Sequence, residues 1–585
     1  MTIRIGPAIP QFAPKIAPRR ELRLTGNTAA ALEVGRTRLL VAGMVFAMAF
    51  TVVGARLVDL ALWSTPDTRR EARSAAPAEY ATGRADIVDR NGIVLATSVP
   101  TASLYADPRL IRDPARAASA LVGVLPDLSP GEVQAKLASG RSFVWLKRNL
   151  TPREHFEVNR LGIPGLNFRR EFQRIYPMGS LSAHSVGFTD VDSGGLSGAE
   201  RAFDAVLYES AAPLRLSLDI RVQHILREEI AAAMARFGAI GAAGVVLDAR
   251  TGETLALASL PDFDPNHAGT AVDDERFNRA TLGVYEMGSV FKIFTTAQAL
   301  DSGAMTLNDG FDTSKPIRAA RFTITDYKPK NRWLSVPEIF MYSSNIGTAL
   351  MAMQIGTKGQ QAFMKALGLT QPARIELGEV GAPLLPERWS DISTLTISYG
   401  HGMSVSPIQV ATAVSSIVNG GVLVPSTILA KPDGTQVEGR RVVSESTSRS
   451  MRDLMRLVVR EGTGRKADVN GLLVGGKTGT SDKLVNGRYV RDKRIANFVA
   501  AFPMTDPRYV VLVMVDEPKG IKETFNYATG GWVAAPTVGK VIERIAPILG
   551  VAPVTNGFET DSSERLLVKA KARAKQAEAQ RIAAN

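Results

Sequence analysis

Residues 471–490 read GLLVGGKTGTSDKLVNGRYV, and two architectures compete for them. Gly471 to Thr478 satisfies GxxxxGK[ST], the loop that cradles nucleotide phosphates, and Val510–Val515 followed by Asp516 resembles the strand and acid that hold its magnesium. Such a loop must open directly into a helix whose N–H groups face the phosphates. Here the loop interior is Leu472-Leu473-Val474, which favours burial, and Thr478 is followed by Gly-Thr-Ser-Asp. Asn486-Gly487 then supplies a strong hairpin signal. Too little chain separates the two motifs for a crossover helix plus a parallel strand. The nucleotide reading is rejected. Leu472–Thr480, Ile495–Phe502 and Tyr509–Val515 are read as three strands.

Upstream, Asp219 is placed to cap a helix with the apolar stripe Val222, Leu226, Ile230, Met234 and Phe237. Ala242–Leu247 and Thr254–Ala258 read as strands joined by a hairpin at Arg250-Thr251-Gly252. Ser406-Pro407 opens a helix that Asn419-Gly420-Gly421 closes. A second helix carries Met451, Leu454, Met455 and Val458 and stops at Gly462, and Val538, Val541, Ile542 and Ile545 mark a closing one. Two early strands, a helical middle and three late strands predict one α+β domain over 216–550, its sheet joining distant segments. Residues 551–585 read as a charged, Ala-rich C-terminal tail, with Glu559 to Asn585 a solvated helix or tail.

The 64–215 stretch is less informative. Ile87-Val88 and Ile93-Val94-Leu95 flank Asn91-Gly92, a hairpin signal, and short strand-like pieces follow among turns. It reads as a mixed α/β spacer or interaction module. Leu39 to Ala55 is 17 residues without a charge, and the pattern runs on to Leu62 with Trp63 at the interface position. Seven Lys/Arg and two acids precede it, so the expectation is one transmembrane helix over 39–62. The 1–38 tail is then cytoplasmic and disordered, and everything after Trp63 lies outside.

Composition narrows the chemistry. The chain has 585 residues and no cysteine, which removes disulfides, thiolate metal sites and cysteine nucleophiles. Its five histidines show no helical metal pair, so no metal site is expected. The net charge of +13 is spread without a basic run interleaved with aromatics, so nucleic acid is not an expected partner.

Ser289-Val290-Phe291-Lys292 enters an apolar-periodic stretch. Residues three apart share a helix face, so Lys292 can reach the Ser289 hydroxyl. The helix dipole and any second cation nearby disfavour its ammonium form, leaving it free to act as a base. Ser343-Ser344-Asn345 and Lys477-Thr478-Gly479-Thr480 follow in the chain. SxxK, SxN and KTG in that order resemble the active-site triple of penicillin-binding proteins and serine β-lactamases.

The chain is identified as a member of the class B penicillin-binding proteins, most similar to the cell-division type. Residues 84–96 (RADIVDRNGIVLA) resemble that branch's first module motif, with Ala85 where the family usually has glycine. Gly195–Glu200 and Leu216–Gln223 fit the passage into the catalytic domain. Tyr285–Ser289, Ser398–Gln409, Asn497–Pro503 and Gly530–Pro536 resemble the septal member. The resemblance implies a membrane anchor, a pedestal or dimerisation-type module, and a transpeptidase domain with a five-stranded, mainly antiparallel sheet flanked by helices.

The resemblance also implies cross-linking of peptidoglycan stem peptides ending in D-Ala-D-Ala, with inhibition by β-lactams. Ser289 would be the nucleophile, Lys292 its base, Ser343 a proton relay, and Asn345 a holder of the donor backbone. Lys477, Thr478 and Thr480 suit the terminal carboxylate. Ser344 is counted with the substrate-binding residues, and Gly479 lets substrate lie close to the strand. No cofactor is implied. The implied location is the bacterial inner membrane with the catalytic domain periplasmic, beside a polytopic division glycosyltransferase and other divisome proteins. An elongation-type enzyme, a β-lactamase and a silent penicillin-binding receptor are the competing readings. No acidic glycosyltransferase motif of the bifunctional class A enzymes occurs between 64 and 215.

Overall fold

The computed structural model describes residues 40–54, 83–319, 322–432, 434–435, 437–485, 487–554 and 562–584. Of the expected anchor, residues 40–54 form an exposed, uncharged helix. Among the described residues no helix is long and apolar enough to cross a membrane. The tail over 1–38, the rest of the anchor and residues 63–82 lie outside the described residues.

In the pedestal, β1 (Ile87–Val88) and β2 (Val94–Ala106) flank the Asn91-Gly92 turn, with Gly92 at φ +88°. Asp89 holds that turn by accepting the backbone N–H groups of Asn91 (2.7 Å) and Ile93 (2.9 Å). Strands β3 (Val144–Leu150), β4 (Leu166–Ile175) and β5 (Leu214–Arg215) complete a five-stranded sheet. In it β2 pairs antiparallel with β1, β3 and β4, and β1 runs parallel to β5. Helices α1 (Pro114–Val124), α2 (Pro130–Leu137) and α3 (Pro152–Arg160) each begin with a Pro behind Asp113, Ser129 or Thr151. They close a small core around Leu104, Leu121, Val133 and Leu146.

A buried ion cluster holds this module together. Glu200 is fully buried between Arg84 Nε (2.5 Å) and Arg174 Nε (2.7 Å), and Arg84 also reaches Asp204 (2.7 Å). Arg174 donates further to the Arg84 carbonyl (3.1 Å). The motif at 84–96 and the Gly195–Glu200 stretch thus meet in space. The turn also reaches the next domain, because Asp89 accepts the N–H of Ile220 (3.2 Å) at the start of α4 (Ile220–Arg236). Asp219 caps that helix, as its position predicts.

The second sheet contains β6 (Gly241–Asp248), β7 (Thr254–Leu260), β8 (Gly475–Val485), β9 (Arg488–Phe502) and β10 (Tyr509–Asp516). Its order is β8-β9-β10-β6-β7, antiparallel throughout. Alternation divides its residues between two cores. Val510, Leu512 and Met514 face a cluster with α5 (Lys292–Asp301), α6 (Val336–Tyr342), α8 (Pro407–Val418) and α9 (Glu445–Arg460), while α7 (Asn345–Ile355) packs on α5. Val511, Val513 and Val515 face α4 and α10 (Ala534–Ile545). Strand β10 is therefore apolar at almost every position, as a strand covered on both faces must be.

Two expectations shift. The strand predicted from Leu472 starts at Gly475, because Leu473 takes a left-handed conformation (φ +45°) and Leu472–Val474 is buried as irregular chain. The tail contains α11 (Ser562–Ala584), which is docked: Ser563 and Ala570 are buried and the helix packs on α6 and α9. Its Leu566 joins the core that holds α5. The rest of that tail, residues 555–561 and 585, lies outside the described residues.

Replacing Glu200 with alanine would leave two buried guanidiniums without their shared counter-charge. The expected loss is about 3–5 kcal/mol of stability, read as a lowered thermal midpoint; an unchanged midpoint would remove the cluster from the account of the module.

Candidate active site

Helix α5 is preceded by one tight turn, Gly288–Phe291, which carries Ser289. Gly288 has φ +54°, and a β-carbon there would be driven into the Thr480 carbonyl. Its N–H donates to the Gly400 carbonyl at 3.1 Å. The turn is thereby wedged between the edge strand β8 and the 400–402 loop, leaving Ser289 at the wall of a cleft of about 660 Å³.

Lys292 is fully buried beneath it. Its Nζ lies 2.8 Å from Ser289 Oγ, 2.7 Å from Asn345 Oδ1, 2.9 Å from the Ser343 carbonyl and 3.1 Å from Ser343 Oγ. Burial, and then the adjacent Lys477, push this ammonium well below the ordinary lysine range. In the neutral amine, two N–H groups can serve Asn345 and the Ser343 carbonyl while the lone pair accepts the Ser289 O–H. That is the arrangement of a general base on a hydroxyl nucleophile.

Ser343 closes the circuit. It ends α6 in the left-handed region (φ +61°), which turns its hydroxyl between Lys292 and Lys477 Nζ, the latter 2.9 Å away. Lys477 is also fully buried, and burial lowers it to about 7. Thr478 and Thr480 line the cleft. Thr478 pairs with Thr463 Oγ1 (2.8 Å), and Thr480 Oγ1 accepts the Gly530 N–H (3.0 Å). Seven of the residues singled out in the sequence (Ser289, Lys292, Ser343, Asn345, Lys477, Thr478 and Thr480) are thus brought to one place.

Ser344 stands differently from expectation, and Gly479 has a further reason to be glycine. Ser344 does not face the cleft: it is buried, accepts the Gly347 N–H (3.0 Å) as the cap of α7, and donates to Asp326 (2.7 Å). At Gly479 the pressure comes from inside. A β-carbon there would run into Asn497 Oδ1 and the Met287 carbonyl, so glycine keeps β8 close to the turn that carries Ser289.

Sequence reasoning missed a second corner of the cleft. His401 lines it, stapled in place because the Gly402 N–H donates to Glu286 Oε1 (2.7 Å), which also accepts the Tyr489 hydroxyl (2.9 Å). Burial raises the Glu286 carboxyl, while burial and then the Lys292 charge lower His401. Asp326 was missed as well. Neither carries a local signal, since both depend on chain segments meeting from a distance.

Comparison with known proteins follows the same lines. Residues 242–543 match the penicillin binding protein transpeptidase domain, and residues 79–207 the penicillin-binding protein dimerisation domain. The chain is 44% identical over 481 residues to the probable peptidoglycan D,D-transpeptidase FtsI of Caulobacter vibrioides, covering 80% of this chain and 82% of that one. It is 30% identical over 518 residues to the peptidoglycan D,D-transpeptidase FtsI of Escherichia coli K12, covering 82% and 86%. Among solved structures it resembles penicillin binding protein 3 of Mycobacterium tuberculosis complexed with aztreonam, with a TM-score of 0.64 and 26% identity. That match covers 81% of this chain and 97% of the other.

Gly479→Ala should force β8 away from the Ser289 turn. An overpacked site of this kind costs about 1–3 kcal/mol, so the thermal midpoint should fall. A variant as stable as the wild type would show that the strand has room to spare.

Proposed function

The chain belongs to the penicillin-binding protein transpeptidase family, and on that premise we propose that it is a class B serine D,D-transpeptidase cross-linking peptidoglycan stem peptides during septal wall synthesis. The observation that carries the proposal is the contact at 2.8 Å between Ser289 Oγ and a fully buried Lys292 amine. A buried lysine beside a second lysine is costly as an ammonium, so Lys292 is arranged to take a proton from Ser289 and not to pair with an anion.

Lys292 accepts the Ser289 proton as Oγ attacks the carbonyl carbon of the penultimate D-alanine. The backbone N–H groups of Ser289 and Thr480 are the donors proposed to stabilise the resulting oxyanion. The peptide C–N bond then breaks, and the departing D-alanine nitrogen takes a proton from Ser343 Oγ, which Lys292 replenishes across 3.1 Å. Lys477, held near neutrality by burial, becomes fully cationic when the terminal carboxylate arrives, because an opposite charge favours the ammonium. An amine of a second stem attacks the ester carbon and gives up a proton to Lys292, the C–Oγ bond breaks, and Lys292 returns that proton to Ser289 Oγ. Asn345, already committed to Lys292 and to the Thr325 carbonyl (2.9 Å), has one N–H left for the donor backbone. A β-lactam carries the same acyl carbon and carboxylate and stops at the ester.

The septal assignment rests on the relatives named FtsI. The anchor reading rests on the uncharged helix at 40–54 and the excess of Lys and Arg before it. On that reading the chain sits in the inner membrane with the N-terminus cytoplasmic and the catalytic part periplasmic; the resemblance to the cell-division type adds a polytopic glycosyltransferase and other divisome proteins as proposed neighbours.

Full-length protein incubated with fluorescent penicillin should form a covalent adduct, and Ser289→Ala should form none while keeping its thermal midpoint. Labelling of the folded variant would remove Ser289 as the nucleophile. Sidedness has a separate check, because the chain contains no cysteine. Val191→Cys, at a site that is 65% exposed, should react in whole cells with a thiol reagent that reaches the periplasm and not the cytoplasm. Protection until lysis would overturn the orientation.

A further inference from the structure

The strand at Phe322–Ile324 runs into a loop that the proposed chemistry does not use. Its Asp326 lines the same cleft as Ser289 and Ser343 and is only half-buried. One carboxylate oxygen accepts the Ser344 hydroxyl at 2.7 Å and the other accepts the Ile346 N–H at 3.0 Å. The residue before it, Thr325, accepts the Asn345 side-chain N–H through its carbonyl at 2.9 Å. Two adjacent residues of this loop therefore grip all of Ser344, Asn345 and Ile346. The loop is held from outside by Lys328 over the Tyr527 ring and Lys330 over the Tyr342 ring, at 5.5 and 4.4 Å.

We propose that Asp326 is a positioning residue of the acyl-transfer reaction: it locks the Ser343–Ser344–Asn345 turn against Lys292 and supplies the negative charge that faces this otherwise cationic centre. The inference rests on the transpeptidase reading above and deepens it. Ser343 sits in the left-handed region at the end of α6, a conformation that an L-residue holds only when its surroundings impose it. The following residues begin α7, and the Asp326 carboxylate meets that helix at its first N–H groups, where a negative charge is favoured. Losing that grip would free the turn whose carbonyl, hydroxyl and amide oxygen make three of the contacts around Lys292 Nζ.

The charge has its own consequence. The groups facing Lys292 are Lys477 from β8, the neutral Ser289, Ser343 and Asn345, His401 from the neighbouring loop, and Asp326. Burial and Lys477 disfavour the Lys292 ammonium, and Asp326 opposes both. Removing its charge lowers Lys292 further. The base is then neutral at lower pH, and the acid limb of the acylation profile must move down. A cap that worked by hydrogen bonds alone would leave that limb in place.

The test uses full-length protein and the second-order rate of acylation by penicillin across pH. Asp326→Ala removes both hydrogen bonds and charge; displacement of reacting groups by an ångström costs up to a hundredfold, and a loss on the order of ten- to a hundredfold is expected. Asp326→Asn keeps the chance to bond Ser344 and Ile346, so it should acylate faster than Asp326→Ala, with its acid limb displaced to lower pH than the wild type. An Asp326→Asn profile superimposed on the wild type, or Asp326→Ala acylating at the wild-type rate, overturns the proposal. Should Asp326→Ala fail to fold, as its thermal midpoint would show, the limb of Asp326→Asn decides alone. A wild type that forms no adduct at any pH defeats the transpeptidase reading itself and is distinct from either result.

Discussion

The Ser289–Lys292 contact makes sense only because Lys292 cannot reach water. An exposed lysine is an ammonium at neutral pH and has no lone pair to offer a hydroxyl. Here the amine is wrapped by Ser289, Ser343 and Asn345 and has Lys477 nearby. Each surrounding group can accept a hydrogen bond, and none of those in contact carries a negative charge. The enclosure pushes the lysine toward the neutral form that accepts a proton, and the remainder of the domain serves to keep it closed.

That closure is a problem of sheet edges. Strand β8 lies at the edge of the second sheet, where one row of backbone groups has no neighbouring strand. For the edge to form the wall of a reactive cleft, the Ser289 turn has to lie directly on it. Gly288 and Gly479 allow that approach from its two sides, since a β-carbon on either would meet backbone of the other segment. Behind them, two apolar cores clamp the sheet between α4 with α10 and α5 with α8 and α9. The lysines arrive from opposite directions, Lys292 from a helix and Lys477 from the edge strand, so neither core can shift without separating them.

What could be read in the sequence follows from this construction. Periodicity found the helices over 220–236 and 445–460, cap signals found the one over 407–418, and strand-like runs with hairpin signals found the sheet, because those patterns are local. SxxK, SxN and KTG were legible because each motif also carries its own backbone context: a turn into a helix, a helix junction, an edge strand. Asp326 was not legible. It is a single acid in irregular chain, and it matters only through Ser344 and Ile346, which lie 18 and 20 residues further on. His401 and Glu286 depend likewise on segments over a hundred residues apart. Ser344 was misjudged for the opposite reason: its neighbours in sequence face the cleft, but the helix it caps turns it inward.

The Glu200 cluster and the cleft treat buried charge in opposite ways, and the contrast separates a scaffold from a reactive site. In the pedestal, Glu200 sits between two guanidiniums, and Arg84 reaches a second carboxylate, so charge is balanced at the point of burial. Such a cluster resists rearrangement, because removing one partner strands another. In the cleft, two buried lysines have no carboxylate in contact among the described residues, and the facing acid, Asp326, is held away by Ser344. The imbalance is a local cost in stability, and under the proposed function a substrate carboxylate arriving beside Lys477 would remove part of it. Proton affinity at Lys292 is then set by how much positive charge remains uncompensated, so the same geometry that excludes water also couples substrate binding to the strength of the base.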